Sequence, residues 1–168
     1  MIKAARVGIG VLLAALLTLV SGAARLPAAP DFFLLPVADA AGGGALLAGM
    51  LTGLFAGLAE DLLTAPGRLL GLHAFTKVLL GYGLASLGAR TVVEKPATVG
   101  ALVGGAVAAE AALLVMLLWI LKAELLPPAW PQLAARMATT GLAGAVYQAA
   151  LRYPWRARLA ARRRRRIW

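Results

Sequence analysis

Six apolar runs fill most of the chain: about Val7 to Ala24, Phe32 to Ala41, Ala45 to Leu63, Leu72 to Ala89, Thr98 to Leu121 and Leu133 to Leu151. Charge, proline or glycine separates each from the next. A bilayer core about 30 Å thick takes about 20 residues of helix per crossing. With 168 residues there is room for six crossings and short connections, and for no sizeable soluble domain. Hydrophobic residues make up 61% of the chain and charged ones only 14%, a balance too apolar for a water-soluble fold. The expectation is an all-α integral membrane protein, a six-transmembrane-helix bundle over residues 1–151 followed by a polybasic tail over residues 152–168.

A formal net charge of +10 would suit nucleic acid, but eight of the seventeen basic residues lie in the last seventeen positions, RYPWRARLAARRRRRIW. On a membrane protein such a tail is expected to bind anionic lipid headgroups and no nucleic acid. The residues that would do so are Arg156, Arg158, Arg162, Arg163, Arg164, Arg165 and Arg166. The absence of cysteine excludes disulfides and thiol chemistry.

The second run departs from the others. It is short, holds Pro36 and Asp39, and ends in Gly42-Gly43-Gly44. Irregular backbone at membrane depth is tolerated only where protein or a polar cavity surrounds it, so this segment is expected inside the bundle. The first run has the flanks of a signal peptide, with Lys3 and Arg6 before it and Ser21-Gly22-Ala23 at its end. A retained first helix is favoured because it completes the charge pattern. Six crossings from an internal N-terminus put Lys3, Arg6, Arg90, Lys95 and the arginine tail on the cytoplasmic side, and Arg25, Arg68, Lys122 and Arg136 outside, as the positive-inside rule requires. Both termini are then cytoplasmic. Trp119, Trp130 and Trp155 fall near the ends of runs, where indole rings settle at the interface.

The third run reads AGMLTGLFAGLAEDLL from Ala48. Positions four apart share a helix face, so Ala45, Gly49, Gly53, Gly57 and Asp61 form one nearly smooth stripe. In lipid, small residues let two backbones approach closely and so drive helix association. Gly49, Gly53, Gly57 and Asp61 are therefore expected to form a helix-packing or partner-binding face. Similar ladders run through Gly100, Gly104, Ala108 and Ala112, and through Gly141, Ala145 and Ala149. Asp61 and Glu60 end the third run, and His73 and Lys77, four apart, open the fourth. Antiparallel neighbours would bring Glu60, Asp61, His73 and Lys77 together as a polar cluster at the outer end, with Asp61 or Glu60 paired to Lys77. A solvated rim is the alternative. The single histidine has no second nitrogen or thiol ligand nearby in sequence, and no metal site or cofactor is expected.

Glu110 lies in the middle of the fifth run, where a charge is costliest. It must face the interior or carry a proton. Thr139, Thr140, Tyr147 and Gln148 are its expected hydrogen-bond partners as a structural acid, and a ligand or proton site is the alternative. No nucleophile with an accompanying base and no phosphate loop occurs, so no catalytic residue is assigned and an enzyme is not expected.

Pro30-Asp31-Phe32 after the first run, the glycine ladder running into Asp61-Leu62-Leu63, LGLHAF from Leu70 to Phe75 and Gly81-Tyr82 form an ordered set. It resembles the rod shape-determining protein MreD family of bacteria over about Pro30 to Arg90. The interrupted second run departs from that family's longer apolar segment. The resemblance implies a non-enzymatic scaffold of the elongation machinery in the bacterial inner membrane. Its partners would be an MreC-type membrane protein, the MreB filament, the RodA glycosyltransferase and a class B penicillin-binding protein. It also implies a bundle similar to the substrate-binding subunits of energy-coupling-factor transporters. That likeness supplies the alternative function, the substrate-binding membrane subunit of a vitamin or metal transporter.

Overall fold

The computed structural model describes residues 2–26, 28–42, 44–64, 70–90, 95–122 and 129–152. Among them all regular structure is helical: α1 (Ile2–Ala23), α2 (Leu34–Ala41), α3 (Leu46–Thr64), α4 (Leu72–Arg90), α5 (Pro96–Ile120) and α6 (Trp130–Arg152). Three of these, over Ala5–Ala23, Leu46–Leu63 and Pro96–Ile120, are long and apolar enough to cross a membrane. The distribution of polarity agrees. Lys77 is fully buried while Leu12 and Leu62 are each 73% exposed, the inverse of what water would select. The tail arginines from Arg156 to Arg166, and Trp155, lie outside the described residues.

Helix ends follow local chemistry. The N–H of Leu26 donates to the Ser21 carbonyl and that of Arg25 to Gly22, with Arg25 at φ +49. This closes α1 with the bond pattern usually built around glycine, and the Arg25 cation suits the negative end of the helix dipole. Helix α2 has only 8 residues, about 12 Å of rise. Pro36 sits in its first turn, where a missing N–H costs nothing. The Gly42 N–H ends the helix on the Ala38 and Asp39 carbonyls. Gly44 then turns the chain at φ +80, and a side chain there would also press on Ala89.

Residue contacts fix the directions. Gly10 meets Pro36 and Arg6 pairs with Asp39 at 2.5 Å, so α1 and α2 are antiparallel. In α3 and α4 the opposed positions are Gly49 with Gly81, Gly53 with Lys77 and Gly57 with Ala74. A Cβ on Gly53 would collide with the Lys77 carbonyl, and one on Gly57 with the backbone at Ala74. The neighbour that uses this ladder is therefore the protein's own α4. Helices α5 and α6 pack by the same device, Gly100 and Gly104 lying against Gly141 and Met137. The hairpins meet around α2. Leu34 and Leu35 join Leu80, Val103, Ala106 and Val107 in one core, lined from α6 by Leu133, Met137 and Tyr147. Phe33, Leu34 and Val37 are at most 1% exposed, so the second run does lie inside the bundle, as a short helix.

Candidate functional site

Four of the chain's seven acids, Asp31, Glu60, Asp61 and Glu110, gather with His73, Lys77 and Arg136 at one end of the bundle. Lys77 is at the centre. Its Nζ lies 2.6 Å from Glu110 Oε1, 2.7 Å from Glu60 Oε2 and 2.9 Å from Asp31 Oδ2. The helix register explains the reach. The Lys77 backbone faces Gly53, two turns before Glu60. Helical side chains lean toward their own N-terminus, so in antiparallel α3 and α4 the Lys77 and Glu60 side chains lean toward each other and close that gap.

His73, one turn before Lys77 on the same face, places Nδ1 3.4 Å from Glu110 Oε1 and 3.8 Å from Glu60 Oε1. Arg136 of α6 approaches from the half-exposed edge, 3.5 Å from Asp31 Oδ2 and 3.6 Å from Glu60 Oε1. Asp31 is held at both ends: its N–H donates to Thr140 Oγ1, and its Oδ1 accepts the Phe33 N–H that opens α2. Burial pushes the Asp31 carboxyl up to about 7, against the downward pull of Lys77.

Asp61 has a separate task. Its carboxylate accepts the N–H groups of Gly71 at 2.9 Å and of His73 and Ala74 at 3.2 Å each. It thus caps α4 from another helix and places a negative charge at the positive end of the dipole. Gly71, at φ +97, supplies the turn that aims these groups.

Of the two acids expected to pair with Lys77, Glu60 does so and Asp61 does not, because the ladder register carries Asp61 past Lys77 to the first turn of α4. Other expectations change. Glu110 meets Lys77 and His73. Thr139 and Thr140 instead bond the Ala28 carbonyl and the Asp31 N–H, and Tyr147 packs on the apolar core. The polar groups form a buried network and not a solvated rim. Asp31 and Arg136 were not expected in the site. Asp31 stood inside the Pro-Asp-Phe motif, whereas nothing local marked Arg136.

His73 does have ligand-type neighbours, contributed by other helices. Glu60, His73 and Glu110 bring one donor atom each within 4.8 Å of one another. The Lys77 ammonium already bonds both carboxylates and would compete with a metal ion for them. The charge count is uneven. Asp31, Glu60 and Glu110 face two permanent cations, Lys77 and Arg136, leaving His73 to decide the balance.

No family model, curated protein or solved structure matches the chain.

Proposed function

We propose that the protein is a non-enzymatic scaffold of the MreD type in the bacterial inner membrane, supporting cell shape and lateral peptidoglycan synthesis. One observation carries the reading. Asp31 of the Pro-Asp-Phe motif, Asp61 at the end of the ladder and His73 of LGLHAF come from three separated stretches and converge on one cluster. Residues from three of the four motifs behind the resemblance thus meet in one place, which supports the reading; the fourth, Gly81-Tyr82, lies elsewhere on α4, against Gly49. Glycine faces consumed by internal packing, and carboxylates gathered on the protein's own lysine, suit a membrane platform.

In this reading the bundle crosses the membrane six times, the second passage being the run from Phe32 to Ala41 extended through the glycines Gly42 to Gly44, with both termini cytoplasmic and the charge cluster toward the outside. The arrangement would then be that of the substrate-binding subunits of energy-coupling-factor transporters, as the sequence resemblance implies. The outward surface would meet the MreC-type partner, and the cytoplasmic side the MreB filament. RodA and the class B penicillin-binding protein would join within the membrane.

Depletion in the rod-shaped host is expected to give rounded cells, and the protein is expected to co-purify with its MreC-type partner. Cells that stay rod-shaped but lose uptake of one small nutrient would reject the scaffold in favour of a transport subunit. Because the chain has no cysteine, single cysteines can be tested with an impermeant maleimide. Labelling from outside at Ala160, or none at Leu126, would overturn the topology.

A further inference from the structure

The charge cluster joins parts of the bundle that otherwise touch through the apolar core around α2 and through the Thr139–Ala28 and Thr140–Asp31 hydrogen bonds. Glu60 comes from α3, His73 and Lys77 from α4, Glu110 from α5, Arg136 from α6 and Asp31 from the connection between α1 and α2. The α5–α6 hairpin packs far more closely within itself than against the first four helices. At this end of the molecule the Glu110–Lys77, Glu110–His73, Arg136–Asp31 and Arg136–Glu60 contacts tie that hairpin to the remainder.

We propose that the cluster is a binding site for one exchangeable proton, and that the proton clasps the α5–α6 hairpin to α1–α4. Charge sets the requirement. Three buried carboxylates with two permanent cations leave one negative charge uncompensated, and an uncompensated buried ion is strongly destabilising. One added proton makes the count even. Two groups can receive it: His73, whose ring then donates to Glu110, and Asp31, held beside Lys77 and Arg136. In such a coupled set the proton belongs to the cluster and not to one residue.

The groups facing His73 are all accounted for among the described residues. From α3 these are Glu60 and Asp61, the latter committed to backbone N–H groups. Lys77 of α4, Glu110 of α5, Arg136 of α6 and Asp31 complete the set. Asp39 and Arg6, of α2 and α1, pair with each other at the opposite end. The route for the proton is also visible. The His73 side chain is 19% exposed and that of Arg136 43%, whereas Lys77 is sealed. When the proton leaves, the surplus negative charge falls between Glu60, Glu110 and Asp31, which sit on separate elements. Their repulsion opens the junction. This inference concerns the bundle itself and does not depend on the scaffold reading.

The test uses the full chain in nanodiscs with spin labels on Leu62→Cys and Trp119→Cys, exposed positions on α3 and α5 near this end. Between about pH 5.5 and about pH 8.5, the range in which histidine-linked protons exchange, the label separation is expected to lengthen and broaden reversibly. Glu60→Gln removes one acid while keeping an oxygen in place, and should hold the short separation at both ends of the range. Asp31→Asn should do the same, and serves if the first variant does not fold. His73→Gln should shift the midpoint and retain a transition on Asp31. A separation independent of pH in the unmodified cluster, or an unaltered transition in both acid-removal variants, would overturn the proposal.

Discussion

Lys77 Nζ and Glu110 Oε1 lie 2.6 Å apart across the α4–α5 interface, both side chains withdrawn from solvent. Lys77 holds two further carboxylates at the same time, so removing its charge abandons three acids. Lys77→Met is expected to cost about 3–5 kcal/mol, as for breaking a buried ion pair from one side. Glu110→Gln leaves an oxygen to accept from Lys77 and removes one surplus negative charge, and should cost far less. Reversible unfolding in mild detergent, following helical signal, measures both. Equal losses would mean that the lysine contributes packing and not charge.

The ladder makes an equally direct contrast. A Cβ at Gly53 would strike the Lys77 carbonyl, whereas a Cβ at Gly105 meets nothing within 4 Å. Gly53→Leu should therefore push α4 off α3, with a cost in the upper range for overpacked interiors, about 3 kcal/mol or more. Gly105→Ala should be neutral or slightly stabilising, since alanine favours helix by up to about 1 kcal/mol. Leu54→Ile, one position round the helix from Gly53, should be mild. Thermal stability of the three purified variants, compared side by side, checks the order.

These contrasts also show how much was legible in the sequence. The smooth α3 face could be read from four-residue spacing alone, and so could the burial of the proline-bearing second run, because each is a local consequence of helix geometry or backbone hydrogen bonding. The identity of the partners could be read only in part, Glu60 being one of the two acids expected against Lys77. Pairing Asp61 with Lys77 assumed that helix ends align, but close glycine contact fixes a register in which Lys77 faces Gly53 and Asp61 meets Gly71. The partners of Glu110 depended on which helix packs beside α5. Arg136, 105 positions from Asp31, had no sequence signal beyond its charge.

Asp61 offers a prediction separable from the ion network. It satisfies three backbone donors in the first turn of α4. Asp61→Ala strands them, at a cost of about 1–3 kcal/mol for each buried group that finds no water. The damage should be local. Hydrogen exchange is expected to accelerate at Gly71, His73 and Ala74 while the α5–α6 hairpin keeps its protection. Asp61→Asn retains one acceptor oxygen and should lie between alanine and the parent protein. Uniform loss of protection along the chain would show that the cap is inseparable from global stability.

Stability should also depend on acidity through Asp31. Its carboxyl titrates ordinarily near 3.8 and is pushed up to about 7 by burial in the fold. Between those values the folded chain holds a proton that the unfolded chain has released. The contribution is fully present below the unfolded value and is lost as pH rises through the folded one. Thermal stability in detergent is therefore expected to fall from about pH 4 toward about pH 7 and to level off above it. Asp31→Asn removes the titrating group but keeps the N–H that bonds Thr140 and a side-chain oxygen for the Phe33 N–H, and should flatten this slope. If the Asp31→Asn variant loses stability across the same range as steeply as the parent, the titrating group lies elsewhere, and His73 with Glu110 becomes the pair to examine.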